Sequence, residues 1–367
     1  MKIIQLVYSL CSGGAERFVV NLSNCLVDLG HEVEICMLLD DEVKSRTFNR
    51  VFLKPEVGFI SMKLSPGFSL SKKRKVVAYI KSRHPDVVHC HLNVIPYVFG
   101  FAIRNRSIRF VHTLHSVAEN AVGAKYQYWL NRFFYRRGII QPVTISMKCQ
   151  ESYRTFYRLD NARKIDNGCA EVMPSDNFDI VGAEIEKLKN GVDLPVFLHV
   201  ARFDSLKNQG LLVDSFNKLM EEGIGFVLLV LGNGFQTEKA SELKRRACSS
   251  IHFLGEKNNV GDYLLHANAF CLTSIYEGLP ISLLEALSAG VTPICTPVGG
   301  IPDVVREGVT GYLSDDISVP SYLSAIHRFF EHKIDSQLLK RHFKAHFSML
   351  ACAEKYLDVY KGSDCLV

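Results

Sequence analysis

Ile3-Ile4-Gln5-Leu6-Val7-Tyr8, followed by Ser12-Gly13-Gly14-Ala15-Glu16, is the stretch from which the fold is read. Six mostly apolar residues are too few for the core of a signal peptide, and no small-residue cleavage site follows them, so they read as a buried strand. The glycine pair then turns the chain, and Ala15–Leu29 carries helical spacing. Glycines in a strand-to-helix turn let backbone N–H groups come close to a phosphate, and the helix N-terminus favours negative charge. The same pair also serves simply as a turn.

Working outward, the alternation repeats. Glu32–Leu39, Val87–Cys90, Phe110–Leu114 and Val143–Ser146 read as further strands, with helices over Ser71–Arg83 and Lys125–Arg137. Residues from Asp166 to Leu194, with the turn signals Asn167-Gly168 and Pro174-Ser175, read as a linker region. A second series follows, with strands Val196–Val200, Phe226–Leu231, Ile251–Leu254, Ala269–Leu272 and Thr292–Cys295 and helices Gly210–Glu221, Gln236–Cys248 and Pro280–Ala289. Strands alternating with helices predict parallel α/β sheets, here two doubly wound Rossmann-like domains over residues 1–165 and 166–345. Leu338–Tyr360 reads as a closing helical stretch rich in aromatic and basic residues. In open sheets ligands sit beyond the carboxyl ends of the strands, so a cleft between domains is the expected site.

Bulk properties agree. A chain of 367 residues, 47% hydrophobic and 22% charged, suits two ordinary domains with sizeable cores. Eleven cysteines without a Cys-x-x-Cys pair suggest reduced thiols and a cytoplasmic address. No apolar run reaches the roughly 18 residues of a membrane span. The net charge of +5 hides an asymmetry: residues 1–165 hold 25 Lys and Arg against 12 Asp and Glu, and residues 166–367 hold 18 against 26. The basic half points to an anionic partner.

Two later motifs carry chemistry. Arg202 and Lys207, just past a strand in Val200-Ala201-Arg202-Phe203-Asp204-Ser205-Leu206-Lys207, are placed to converge on one pyrophosphate, Arg as a planar fork and Lys as a point charge. Two solvated surface cations are the plainer alternative. The strongest signal is Glu277-Gly278-Leu279-Pro280-Ile281-Ser282-Leu283-Leu284-Glu285-Ala286. Pro280 suits a first helical position and Gly290 a C-terminal stop, so Glu277 precedes a helix and Glu285 lies on it. Carboxylates so placed can take hydroxyls of a sugar and a ribose, while the amides near Ser282 and Leu283 face a phosphate. Gly232-Asn233-Gly234 also follows a strand, but Thr237 at the third glycine position excludes the dinucleotide fingerprint.

Taken together the motifs resemble glycosyltransferase family 4, the retaining enzymes of GT-B fold. The resemblance runs through Gly13-Gly14-Ala15-Glu16, His112-Thr113-Leu114-His115-Ser116, Asn167-Gly168, Arg202 with Lys207, Leu231 to Gly234 and Phe253-Leu254-Gly255. It continues through Ser274 to Glu285, the Glu-x7-Glu signature, then Val298 to Asp303 and Gly308 to Leu313. It implies a nucleoside-diphosphate-sugar donor, UDP- or GDP-linked, with no metal and no other cofactor. Arg202 and Lys207 would hold the pyrophosphate, Glu277 the donor sugar, Glu285 the ribose and His115 the sugar's outer hydroxyl. Gly13 and Gly14 would approach the phosphate or sugar from the opposite domain, Gly278 would lie in the donor loop, and Gly255 would border the base. The N-terminal domain would bind the acceptor, with a C-terminal helix, about 346–367, packing back on it. Asp303, where the family more often has Glu, and Cys169 after Asn167-Gly168 depart from the pattern.

His89 and His91 alternate onto one strand face, as a zinc chelate would require, but no acidic or cysteine partner stands at ligand spacing. The chain also lacks Asp-x-Asp, so positive side chains and helix dipoles would replace Mg²⁺. Lys72-Lys73-Arg74-Lys75, Arg104, Arg106 and Arg109, and the mixture of Tyr126, Tyr128, Trp129, Phe133, Phe134 and Tyr135 with Arg132, Arg136 and Arg137 suit an anionic membrane surface. An aromatic helix face packed on the sheet would look the same. No nucleic-acid module is recognisable. The expectation is a transferase acting on a lipid-linked or saccharide acceptor in cell-surface polysaccharide or glycolipid assembly, on the cytoplasmic face of the inner membrane. A nucleotide-sugar epimerase of similar fold and a non-catalytic nucleotide-sugar binder are the alternatives.

Overall fold

The computed structural model describes residues 1–123 and 125–362. The chain divides into two units: Met1–Cys169 with the described residues from Phe347 onward, and Ala170–His346.

In unit 1 the order is β1 (Lys2–Val7), α1 (Gly14–Asp28), β2 (Glu32–Leu39), β3 (Gly58–Leu64), α2 (Leu70–Arg83), β4 (Val87–His91) and α3 (Phe99–Arg104). Then come β5 (Arg109–Leu114), α4 (Lys125–Arg136), β6 (Gln141–Thr144), α5 (Met147–Tyr157) and β7 (Arg163–Lys164). Among the described residues these strands form one seven-stranded sheet, ordered β3-β2-β1-β4-β5-β6-β7. Every pair is parallel. The order reverses between β1 and β4, which opens a crevice beyond their carboxyl ends. Helix α1 buries Phe18, Leu22 and Leu26, one side chain per turn, and ends at Gly30 with φ +81.

Unit 2 comprises α6 (Phe178–Lys189), β8 (Val196–Val200), α7 (Gln209–Glu221), β9 (Val227–Leu231), α8 (Glu238–Arg246), β10 (Ile251–Gly255) and α9 (Val260–Leu265). It continues with β11 (Ala269–Leu272), α10 (Ile281–Ala289), β12 (Thr292–Cys295), α11 (Ile301–Val304), β13 (Tyr312–Leu313), α12 (Val319–Glu331) and α13 (Ser336–His346). Its sheet runs β10-β9-β8-β11-β12-β13, with the reversal between β8 and β11. Val227-Leu228-Leu229-Val230-Leu231 is buried throughout, as a central parallel strand covered on both faces must be. Phe197, Phe216 and Phe226 interlock beside it with ring centroids 5.0–6.3 Å apart. Burial of each such ring stabilises the unit by about 1.5–3 kcal/mol.

Two readings are corrected. The expected linker 166–194 contains α6, which buries Val181 and Ile185 one turn apart and is tied to α9 by Tyr263 donating to Glu184 at 2.9 Å. Turn residues upstream masked that short amphipathic pattern. The closing stretch is not one helix. α13 ends at His346, and α14 (Met349–Lys361) starts afresh from Ser348, whose Oγ accepts from the Ala351 N–H. Between them Cys169 N–H donates to the Phe347 carbonyl and Met349 N–H to the Cys169 carbonyl, at 3.1 and 2.9 Å, which draws the backbone out of the helix. α13 packs on α10 in unit 2, and α14 packs on α1 and β5 in unit 1. Residues 363–367 of the predicted final helix lie outside those described.

Candidate active site

In unit 2 the side chains singled out by the sequence stand mostly on loops at the switch point. After β8, Asp204 Oδ1 accepts from Leu206 N–H at 2.9 Å, and Asn208 takes a left-handed conformation, φ 49, before α7 begins. Gln209 donates to the Arg202 carbonyl at 3.0 Å. After β11, Thr273 Oγ1 donates to the carbonyls of Lys207 and Asn208, both at 3.1 Å, and Ile275 N–H donates to the Leu206 carbonyl at 2.8 Å. The two loops are thereby stitched into one platform.

On that platform Lys207 Nζ donates to Glu277 Oε1 at 2.6 Å, and Ser274 Oγ donates to the same oxygen, also at 2.6 Å. Glu277 is 7% exposed. With Oε1 doubly engaged, Oε2 is the oxygen left for an incoming hydroxyl. The loop after β12 backs the carboxylate: Thr296 Oγ1 donates to the Ser274 carbonyl at 2.6 Å and Gly300 N–H to the Gly278 carbonyl at 2.7 Å. Gly299, at φ +61, passes so close that a Cβ there would overlap the Glu277 carbonyl.

Arg202 reaches out instead of joining this pair. Its guanidinium is largely exposed and lies 3.3 Å from Asp204. The structure therefore brings Lys207 and Glu277 together and leaves the Arg202 side chain outside that pair, on Asp204. Helix α10 starts after Pro280, which offers no capping side chain, and ends at Gly290 with φ 76. Its first-turn amides, those of Ser282 and Leu283 among them, lack intrahelical partners by construction. The Leu283 side chain is buried in the core, so only its backbone can serve a ligand. Glu285 lies half-buried on the same helix. Gly255 ends β10, and its carbonyl accepts from Gly232 N–H at 2.8 Å. Gly232 itself packs where a Cβ would overlap the Ala201 carbonyl.

In unit 1, Gly13 is the N-cap of α1 and Gly14 its exposed first residue. A Cβ on Gly13 would overlap the Glu16 carboxylate, which folds back over the helix start. His115 follows β5 with its ring edge-on to Phe18 of α1, centroids 5.5 Å apart. Its Nε2 meets His91 Nδ1 at 3.0 Å, and His91 Nε2 meets Gln5 Oε1 at 2.7 Å. Burial pushes the His115 imidazole down to about 3 and drives His89 and His91 well below the usual histidine range. His112 is structural: its ring lies 2.8 Å from the Leu92 carbonyl and 2.6 Å from the Tyr135 hydroxyl. His89 bridges Tyr360 and Thr113, each at 2.7 Å, anchoring α14 to the sheet. Among the described residues no three His, Cys, Asp or Glu side chains are grouped to hold a metal ion.

The sequence singled out Lys207, Glu277 and His115; it placed Ser274 and Gly299 inside motifs without a role, and it gave neither Gln5 nor the pairing of His91 with His115. Gln5 did leave a signal, a polar residue inside an apolar strand.

Residues 12–169 match the family described as Glycosyltransferase Family 4, and residues 182–344 match Glycosyl transferases group 1. The chain belongs to glycosyltransferase family 4. This glycosyltransferase is 25% identical over 321 residues to the N-acetyl-alpha-D-glucosaminyl L-malate synthase of Bacillus anthracis, covering 83% of this chain and 81% of that one. It is 28% identical over 174 residues to a glycogen synthase of Thermodesulfovibrio yellowstonii, covering 46% of this chain and spanning only 35% of that protein's length. The fold is that of HepE from Anabaena, solved in complex with UDP, at a TM-score of 0.78 and 17% identity, covering 99% and 100% of the two chains.

Proposed function

We propose that this glycosyltransferase moves a sugar from a nucleoside-diphosphate donor with retention of anomeric configuration and without a metal ion. The observation that carries this reading is the buried Glu277 carboxylate, fixed on one oxygen by Lys207 and Ser274 and placed just ahead of the α10 N-terminus. Departure of the diphosphate breaks the bond from the anomeric carbon to phosphate oxygen, and negative charge grows on that oxygen. Arg202, Lys207 and the first-turn amides of α10, those of Ser282 and Leu283, are the groups of unit 2 suited to that charge. Glu277 Oε2 takes donor-sugar hydroxyls, with Gly278 beside it, Glu285 takes the ribose, and Gly255 lies by the base. In unit 1, His115 is assigned to the sugar and Gly13 and Gly14 to the sugar or phosphate. Glu277 already accepts two hydrogen bonds on one oxygen, which suits it to gripping hydroxyls better than to attacking carbon. Same-face attack follows: the acceptor oxygen bonds to the anomeric carbon and its proton passes to the departing phosphate. The UDP bound to HepE favours a UDP-sugar over a GDP-sugar.

The acceptor is proposed to be lipid-linked or saccharide, met at an anionic membrane surface on the cytoplasmic face. Helix α4 supports this. It turns Phe134 and Tyr135 inward and leaves Trp129 68% exposed, with Tyr126 and Phe133 beside it. Trp129 and Phe133 line a shallow groove with Arg132, Arg136 and Arg137. Apolar rings framed by cations are what an interfacial site needs. The Lys72–Lys75 run is partly spent inside the fold: Lys72 donates to three carbonyls at 2.9–3.0 Å, and Lys73 sits 3.5 Å above the Phe99 ring. Among the described residues no helix is long and apolar enough to cross a membrane. Incubation with a panel of UDP- and GDP-sugars in chelator, with lipid and oligosaccharide acceptors, tests the reading. It predicts a glycosylated product of unchanged anomeric configuration; an inverted product, or strict dependence on Mg²⁺, would contradict it.

A further inference from the structure

His115 is tied into a line of polar groups running back through the sheet of unit 1: Gln5 on β1, His91 at the end of β4, then His115 after β5. Both inner members are fully buried, and Gln5 and His91 are each 0% exposed. Buried polar groups are as a rule hydrogen-bonded, and here the contacts run from one member to the next. The Gln5 oxygen, Oε1, faces His91 Nε2 at 2.7 Å, while its buried NH₂ end makes no hydrogen bond among the described residues.

The chain of donors is then fixed. An amide oxygen only accepts, so His91 carries its proton on Nε2. A neutral His91 presents a lone pair at Nδ1, and Nδ1 lies 3.0 Å from His115 Nε2. That nitrogen must donate. His115 is left with a bare lone pair at Nδ1, a buried atom that has no hydrogen-bond partner among the described residues. Ring packing holds the geometry. His91 lies 3.9 Å from His89 between centroids, and His115 is braced against Phe18 at 5.5 Å.

We propose that Gln5 and His91 are positioning residues that hold His115 as the Nε2–H tautomer, so that it meets its ligand as a hydrogen-bond acceptor through Nδ1. A group of this kind accepts from a hydroxyl and rejects a second acceptor, such as a phosphate oxygen or a carboxylate. It therefore matches a hydroxyl of the donor sugar, and the assignment rests on the proposed place of His115 in the sugar site. Burial works in the same direction, keeping the three rings His89, His91 and His115 uncharged near neutral pH. The second ring nitrogen of a histidine sets the task of the first, and partners behind an active group fix its orientation and tautomer.

The experiment is long-range ¹H–¹⁵N correlation on the full chain labelled with ¹⁵N-histidine. Comparison with His115→Gln identifies the His115 pattern. Wild type is expected to show His115 protonated at Nε2 and bare at Nδ1. His91→Phe, which keeps a ring and removes the acceptor, raises the Nδ1–H form at least about tenfold. His91→Asn, which restores an acceptor near the position of Nδ1, returns the Nε2–H form, and Gln5→Glu leaves it in place. Should His91→Phe fail to fold, the last two variants and the wild-type spectrum still decide. An Nδ1–H or cationic His115 in wild type at pH 7, or a His115 pattern indifferent to His91→Phe, overturns the proposal. Calorimetry with UDP and UDP-glucose separates this from the site reading. His115→Gln is expected to weaken UDP-glucose and leave UDP unchanged; equal binding of UDP-glucose would remove His115 from the sugar site while the spectrum still judged the relay.

Discussion

The Lys207 ammonium and the Glu277 carboxylate meet at 2.6 Å across two loops that leave neighbouring strands at the switch point of unit 2. Neither is at the surface in the ordinary sense: their side chains are 26% and 8% exposed. An ion pair so placed does two things. It neutralises a carboxylate that burial would otherwise penalise, and it sets one cation beside the helix end proposed to receive phosphate.

Removing one partner should therefore damage more than one function. Lys207→Ala strips Glu277 of its counter-charge and, in the proposed mechanism, the leaving group of a cation. Turnover is expected to fall by about two to three orders of magnitude, and Glu277→Gln by a similar factor. Because the residues act as a unit, the double variant should lose far less than the product of the two, which a double-mutant cycle on kcat/KM measures. Full additivity would break the coupling.

Gly299 and Gly223 make a matched pair. Both have positive φ, +61 and +80, but a Cβ on Gly299 would overlap the Glu277 carbonyl, whereas nothing lies within 4 Å of one on Gly223. Gly223→Ala should cost about 1–2 kcal/mol from backbone strain alone. Gly299→Ala carries the same strain and also displaces Glu277, so its activity should collapse even at temperatures where it remains folded. Urea midpoints and turnover measured side by side check this.

Acid should loosen unit 1 before unit 2. Burial drives His89 and His91 well down, His115 to about 3 and His112 to about 4, against one fully buried histidine of unit 2, His199, also near 4. The unfolded chain protonates histidine near pH 6.5. Between that value and the depressed folded values the unfolded state binds more protons, so this stability is present above pH 6.5 and is lost as pH falls. Each such histidine contributes a slope of up to about 1.4 kcal/mol per pH unit. Hydrogen-exchange mass spectrometry from pH 7 to pH 5, corrected for intrinsic rates, should show protection falling faster in unit 1.

The chain's single tryptophan, Trp129, reports on its own patch. Vesicles containing anionic lipid should shift its emission to the blue and sediment the protein, and zwitterionic vesicles should not. Arg136→Glu with Arg137→Glu should abolish both effects. High salt should weaken binding, since the attraction is screened within a Debye length.

Much of the fold was legible because buried parallel strands read as continuous apolar runs; Val196–Val200 and Ala269–Leu272 match the observed strands end for end. What escaped was short or at an edge. β3, an outer strand of half-buried residues, shows little apolar contrast, and β7 and β13 are two residues each. Candidate residues that stand together in one motif, such as Glu277 and Glu285, could be named from the sequence, whereas the pairing of Glu277 with Lys207, 70 positions away, could not. The tie between Gln5, His91 and His115 could not, because it is made by sheet order: β1, β4 and β5 are neighbours only once the sheet has formed. The close approach of Gly299 to Glu277 was hidden for the same reason.

The central claim is a donor site in which protein cations and a helix end replace a metal. The most direct test is calorimetric titration of the purified chain with UDP and then GDP in chelator, repeated with Mg²⁺ and with Arg202→Ala. The prediction is that one nucleotide, UDP, binds equally with and without Mg²⁺, and that Arg202→Ala weakens it at least about tenfold. Binding that appears only when Mg²⁺ is supplied, or that is indifferent to Arg202→Ala, would contradict it.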